Sequence, residues 1–296
     1  MLSILIPTYN FEITKLVSEL HRQVSELKIN FEILVIDDAS NKEFRKVNSL
    51  IQQFNMVKYI ELEENIGRAK IRNQLARLAK YDNLLFMDCD SQVPDNEYIK
   101  KYLSYCEKEN LVCGGREYAK MPPEDKNLFL RWFYGVKREC SSAEIRNLHP
   151  NKSFMTNNFL ISKKIFSNLK FDENISGYGH EDTLFGIELK QKNIFIKHIN
   201  NPLIHIGLET NSEFLSKTKK GIINLKQIYN GYNFKSELIE NIKLLKYYNL
   251  VKKSRTKFVV ILFYRIFKKQ IEKNLLGNSP SLILFDFYKL ANFCLI

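Results

Sequence analysis

The chain has 296 residues, 45% of them hydrophobic, and a formal net charge of +12, enough length and apolar content to bury a substantial core. Five scattered cysteines (Cys89, Cys106, Cys113, Cys140, Cys294) with no Cys-x-x-Cys pair argue against a disulfide framework or a zinc site and for a reducing, cytoplasmic setting. No apolar run approaches the roughly 18–20 residues that cross a bilayer, and Met1–Pro7 runs straight into a strand pattern without the basic start and long apolar core of a secretory signal.

In chain order, residues 2–7 read as a strand, 13–27 as a helix, 32–36 as a strand ending on Asp37-Asp38, and 42–54 as a helix. A strand over 57–62, a helix over 67–81, a strand over 83–87 and a helix over 96–109 continue the alternation. Such spacing implies βαβ units with right-handed crossovers and a mainly parallel sheet flanked by helices. Polar residues then collect at three strand exits, Pro7-Thr8-Tyr9-Asn10, Asp37-Asp38-Ala39-Ser40 and Asp88-Cys89-Asp90, on the edge where doubly wound sheets bind ligands. Beyond Val112 the pattern weakens. Residues 111–115 and 158–162 look like strands, separated by a long segment, 117–153, expected to be partly helical and to help shape a binding site. A polar loop over 171–179, a helix over 181–192 and short strands over 194–199 and 203–206 follow.

Charge is unevenly placed. Residues 211–296 carry 16 Lys and Arg against 5 Asp and Glu, a net of +11, whereas residues 1–210 are close to balanced. The asymmetry predicts a boundary near residue 210, between a domain over 1–210 that carries the strand exits and a basic, mainly helical region over 211–296.

Several constellations carry chemistry. The apolar run Leu84–Met87 ends in Asp88 and Asp90, two carboxylates on the same side of a strand exit, which read either as a divalent-cation site or as a solvated turn. Pro7-Thr8-Tyr9 offers a hydroxyl and an aromatic face to a nucleobase, or is a plain strand-to-helix turn. Arg68 and Arg72 lie four apart near the positive end of a predicted helix, a spacing that suits a diphosphate. Glu181 and Asp182 open a helix behind Gly177 and Gly179; they either favour the helix N-terminus or line a ligand, and the glycines point to close backbone approach.

Taken in order, Ser3–Asn10, Glu32–Ser40, Asn65-Ile66-Gly67-Arg68-Ala69-Lys70-Ile71-Arg72-Asn73, Asp88-Cys89-Asp90, Thr156–Ile161 and Gly177-Tyr178-Gly179-His180-Glu181-Asp182 resemble the family 2 glycosyltransferases of the GT-A fold, over about residues 1–207. The resemblance implies an inverting, metal-dependent transferase acting on a nucleoside-diphosphate sugar, UDP-linked, and a glycan or lipid-linked acceptor in polysaccharide synthesis. It implies a donor site of Pro7, Thr8, Tyr9, Asp38, Arg68, Arg72, Asp88 and Asn158, with Asp38 accepting the uracil imide N–H. It further implies Mn²⁺ or Mg²⁺ on Asp90 and His205, with Asp88 at the ribose or a metal-bound water, and Asp182 as the base beside Glu181. His205 is alternatively a packed histidine, and His198 competes with it as a ligand. The Gly-x-Gly-x-Glu-Asp stretch is similar to that of galactosyl- and N-acetylgalactosaminyltransferases. Thr156-Asn157 replaces the family's usual glycine pair, which leaves the individual roles of Asn157 and Asn158 open. In the tail, residues 257–269 read as a basic amphipathic helix suited to an anionic membrane at the inner face of the cell membrane, or to packing on the catalytic domain. A basic tail without a nucleic-acid-binding motif argues against nucleic acid. A sugar-nucleotide nucleotidyltransferase would need a glycine-rich, Arg-containing loop after the first strand, where Pro7-Thr8-Tyr9 stands. A non-catalytic protein on the same fold would have no reason to keep both acidic pairs.

Overall fold

A computed structural model describes residues 1–106, 111–175 and 177–296. Its strands, in chain order, are β1 (Leu2–Thr8), β2 (Phe31–Asp37), β3 (Val57–Glu61), β4 (Asn83–Met87), β5 (Ser91–Gln92), β6 (Leu111–Cys113), β7 (Arg116–Glu117), β8 (Asn158–Ser162), β9 (Ile196–His198) and β10 (Leu203–His205). The helices begin with α1 (Thr14–Glu26), α2 (Lys42–Asn48), α3 (Arg68–Leu78), α4 (Tyr98–Leu103), α5 (Phe129–Tyr134), α6 (Ala143–Asn147), α7 (Lys163–Leu169) and α8 (Glu181–Gln191). They end with α9 (Asn211–Gly231), α10 (Lys235–Asn241), α11 (Lys243–Lys253), α12 (Lys257–Leu276) and α13 (Leu282–Leu295).

The main sheet has seven strands in the order β3-β2-β1-β4-β8-β6-β9. Its left half is parallel, with Leu2 beside Phe31 and Asn83, and β8 runs antiparallel between β4 and β6. The chain therefore leaves β1 in one direction and returns on its other side at β4, so the exits of β1 and β4 flank the point where the winding reverses. Ligands gather at such a point. Alternation along the strands builds a core on each face. Ile4, Ile6, Val35, Leu85 and Met87 pack with α1 and with Tyr98 and Tyr102; Leu5, Leu34, Ile36, Leu84 and Phe86 pack with α3, Phe166 and Phe185. The fold is thus α/β, a mainly parallel sheet flanked by helices, with a helical C-terminal region.

Local departures from the sequence expectations have identifiable causes. The helix expected over 42–54 breaks into α2 and a 3₁₀ turn at Ser49–Gln53, because Asn48 is buried and its amide bonds the Ile13 N–H and the Phe11 carbonyl. The helix expected over 96–109 is observed as Tyr98–Leu103, and residues 107–110 lie outside the described residues. A second, three-stranded sheet, β5-β10-β7, brings Ser91 opposite His205.

The chain divides into two compact units. One comprises 1–119, 139–174 and 181–207; the other comprises 120–138, 175–180 and 208–296. The second is a helical assembly whose core joins Leu130 and Leu215 to Tyr264, Ile271, Leu275, Phe285 and Tyr288. Among the described residues no helix is long and apolar enough to cross a membrane.

Candidate active site

The exits of β1, β2 and β4 set the site's floor. Asp37 and Asp38 leave β2 together and divide their tasks. Asp37 is fully buried and structural: its carboxylate accepts from the Ser40 N–H (2.7 Å) and the Tyr59 hydroxyl (2.7 Å). Asp38 accepts from the Ile66 N–H (2.7 Å) and the Gly67 N–H (3.1 Å), pinning the loop before α3. Burial, with the charge of Asp37, raises its pKa despite the opposing pull of those two N–H groups. Each carboxylate oxygen has a further lone pair, so Asp38 can still accept a donor from a ligand. Thr8 beside it is buried, with a hydroxyl that meets no hydrogen-bond partner, and Tyr9 presents an exposed ring. Pro7 is half-buried in β1, opposite Ile36.

Asp88 and Asp90 are equally sharply divided. Arg72, on α3, reaches Asp88 at 2.6 Å, and Arg116, on β7, reaches its other oxygen at 3.0 Å. Arg116 also pairs with Glu139 at 3.2 Å, and Glu139 accepts from the Tyr118 hydroxyl. Asp88 and Arg72 were expected to face the donor directly; here they hold each other, with Arg72 only 3% exposed. Asp90 instead faces His205, Nδ1 to Oδ1 at 3.4 Å. Neither that oxygen nor either ring nitrogen of His205 has a hydrogen-bond partner, although all three are buried. Burial alone would raise the pKa of Asp90, but His205, Arg116 and Arg68 outweigh it and hold the carboxyl ionised, below the ordinary range. Tyr118 stacks edge-on against His205 (5.2 Å), and Gly207 leaves room for Asp90, since a Cβ there would lie 2.6 Å from the Asp90 Cβ. Buried donors and acceptors are normally satisfied. An anionic oxygen beside an imidazole with no hydrogen-bond partner, which when neutral offers one nitrogen lone pair, is therefore a pair of ligands that fits a divalent cation. Among the described residues no third His, Cys, Asp or Glu joins the group. The rival His198 lies elsewhere, hydrogen-bonded to Arg146 (2.7 Å) and the Pro150 carbonyl (2.9 Å), and burial drives its pKa down to about 4.

Glu181 and Asp182 form the first turn of α8, where acidic residues favour the helix dipole. Arg68 reaches Glu181 at 3.4 Å, which draws α3 and α8 to the same edge. Burial first, then the negative charge of Glu181, pushes Asp182 up to about 6; the Thr183 N–H (2.7 Å) and Arg68 act against this. Gly179 is required for its backbone rather than for close approach: φ is +84°, and a Cβ would touch nothing within 4 Å.

Asn158 is tied into the fold. It was expected at the donor sugar, yet it is 1% exposed and its amide is spent. Its oxygen accepts from Tyr98 and Tyr102 (both 2.6 Å), and its nitrogen donates to the carbonyls of Gly115 (3.0 Å) and Asn201 (2.8 Å). Four bonds exhaust an amide side chain. The neighbour Asn157 keeps a buried side-chain oxygen without a partner, and its carbonyl holds the Asp88 N–H. Sequence reasoning missed Arg116 and Glu139. The only local trace of Arg116 is a basic residue directly after the glycine pair Gly114-Gly115 at a strand end.

The fold and this edge together define an α/β protein of the GT-A kind, with carboxylates at the β2 and β4 exits and arginines beside the second of them. The sequence model of Glycosyl transferase family 2 matches residues 3–170, and the chain belongs to that family. It is 27% identical over 236 residues to the uncharacterized glycosyltransferase YfnE of Bacillus subtilis, covering 64% of this chain and 60% of that protein. To the chondroitin synthase of Pasteurella multocida it is 24% identical over 237 residues, covering 69% and 24%. The chain thus spans less than two thirds of either relative. In fold it is similar to S. aureus TarS in complex with UDP-GlcNAc, at a TM-score of 0.52 and 15% identity over 99% of this chain and 89% of that one.

Proposed function

We propose that this chain transfers a sugar from a UDP-linked donor to a hydroxyl of a glycan or lipid-linked acceptor, inverting the anomeric configuration, in the synthesis of a polysaccharide. The observation that carries the reading is the Asp90–His205 pair, 3.4 Å apart and with three buried polar atoms unused. Asp90 and His205 would hold Mn²⁺ or Mg²⁺, which when bound neutralises the charge developing on the leaving diphosphate. Asp38 accepts the imide N–H of the base, and Tyr9 offers it a stacking face. Arg68, far more exposed than Arg72, supplies positive charge for the diphosphate. Asp182 takes the proton of the attacking hydroxyl. A carboxylate titrating near 6 is a stronger base than an ordinary aspartate and is ionised at neutral pH. Glu181, held by Arg68, lines the acceptor side. A single displacement inverts the centre. The name of the chondroitin synthase favours polysaccharide synthesis and the UDP-GlcNAc of the TarS complex favours a UDP-hexosamine donor, and the Gly-x-Gly-x-Glu-Asp stretch favours UDP-galactose or UDP-N-acetylgalactosamine.

The test is UDP release by the purified chain from UDP-Gal, UDP-GalNAc and UDP-GlcNAc, with GDP-mannose as a contrast, with and without Mn²⁺ and a chelator. Turnover of a UDP-sugar that stops on chelation and is lost in Asp90→Asn is the expected result. Undiminished turnover in chelator, or preference for GDP-mannose, overturns the metal or the donor part respectively.

A further inference from the structure

The second unit carries a surface that transferase chemistry does not use. Helix α12 is 20 residues long and has two apolar faces rather than one. Tyr264, Ile271 and Leu275 point inward, at most 3% exposed, into the core shared with Leu215, Phe285 and Tyr288. Exposed on the rest of the helix are Phe258 (69% exposed), Val259, Leu262, Phe263, Ile266 (60%) and Phe267, with Phe263 at the border, its ring edge-on to Phe287 of α13 at 5.4 Å. At 100° per residue these six cover half of the helix circumference over more than two turns. A helix packed on one side ordinarily turns charge outward on the other; scattered single apolar residues are common on surfaces, but a contiguous row marks an interaction site.

We propose that this outward face of α12 seats in the interfacial layer of a bilayer containing anionic lipids, with the helix axis parallel to the membrane plane. Charge selects the occupant. Arg265, Lys268, Lys269 and Lys273 are exposed along the same helix, and none of them is ion-paired among the described residues. The region from residue 211 onward carries a net +11. A second copy docked symmetrically on this face would bring both sets of cations together, whereas lipid phosphates neutralise them. No described helix meets the requirements for crossing, which leaves the in-plane arrangement, with large side chains buried to the acyl boundary and cations at the headgroups.

The experiment is vesicle sedimentation of the full chain, using phosphatidylcholine vesicles with and without phosphatidylglycerol over a salt series; it needs no donor and is independent of the transferase reading. The chain is expected to bind the phosphatidylglycerol vesicles, less so as salt rises, and to bind pure phosphatidylcholine weakly. Leu262→Gln combined with Ile266→Gln removes two inserted side chains and is expected to weaken binding by at least about tenfold. Those residues touch solvent, so the thermal melting of the pair variant should match the parent. Lys268→Gln and Lys269→Gln should each cost about fivefold. Equal binding to both vesicle types, undiminished binding of the Leu262/Ile266 variant, or a dimer in light scattering that this variant dissociates would each overturn the proposal; the last result would assign the face to a second copy.

Discussion

Asp182→Asn separates activity from stability by sign. In the folded protein, burial and the adjacent Glu181 push the Asp182 carboxyl up to about 6, against about 3.9 for an exposed aspartate. The folded pKa lies above the unfolded one, so the folded chain binds more protons between those values. Stability therefore falls as pH rises through the window from about 4 to about 6, and the whole cost persists above it. A displacement of that size corresponds to about 2–3 kcal/mol, an upper figure because the residue is only half-buried. Asparagine is close to the same shape and carries no charge to desolvate. At pH 7.5 the variant should gain about 1–2 kcal/mol in urea unfolding, and the gain should shrink as pH falls from about 6 to about 4 and vanish below about pH 3, where Asp182 is neutral in both the folded and the unfolded state. Transfer should fall about 10²–10⁴-fold, and the parent's rate should rise about tenfold per pH unit below 6 and level off above 7. A variant less stable than the parent at pH 7.5, or one that keeps its transfer rate, refutes the reasoning: the first outcome denies the buried charge, the second denies the base.

Three further substitutions probe the frame around the site. Arg116→Met removes the cation that bridges Glu139 and one oxygen of Asp88, so urea unfolding should show a loss of about 3 kcal/mol, alongside lost activity. Asn158→Ala takes a buried partner from the Tyr98 hydroxyl and the Asn201 carbonyl, while the Gly115 carbonyl keeps the Leu203 N–H and the Tyr102 hydroxyl keeps the residue 158 carbonyl; it should cost about 2–3 kcal/mol, yet the folded fraction should keep its KM for the donor within about twofold. Gly207→Ala drives a methyl to 2.6 Å from the Asp90 Cβ and 3.0 Å from its Oδ2. Transfer should drop by about tenfold or more through displacement of Asp90, with the rate difference measured at saturating Mn²⁺ and donor.

The portions of the structure legible in the sequence are those where one period runs long enough to be counted. Helix α1 keeps a single buried stripe of Leu16, Val17, Leu20 and Val24, and β4 is buried at every position. Their ends follow, and with them Asp38, Asp88, Asp90 and the acidic start of α8. What escaped depends on partners distant in sequence. Strands β5 and β7 are two residues long and carry no period, although β5 and β10 aim His205 at Asp90. The antiparallel insertion of β8 between β4 and β6 has no local signature. Asn158 reads like any polar residue at a strand start, and only the tertiary meeting of Tyr98, Tyr102, Gly115 and Asn201 makes it a structural rivet. The outward face of α12 is a similar case: periodicity finds the apolar residues, but which of them the core takes is decided by α9 and α13.

The unequal treatment of Asp88 and Asp90 is the strongest physical reason to regard the β4 exit as more than a turn. Two carboxylates one residue apart repel, and a solvated turn would relieve that by exposing both. Here Asp88 is neutralised by two arginines, so its charge is already balanced and its geometry fixed. Asp90 is kept ionised by the positive field of the same edge, yet its Oδ1 accepts nothing. Leaving a buried polar group unsatisfied costs about 1–3 kcal/mol, and more for a charge. A protein that needed only a stable corner would recover that energy with one added hydroxyl or amide, and in place of one it sets an imidazole with both nitrogens bare. Arg116 links the two halves, since it fixes Asp88 while contributing to the field on Asp90. The arrangement thus separates a rigid, neutralised carboxylate from an ionised one whose Oδ1 has no hydrogen-bond partner, two residues apart on one strand end.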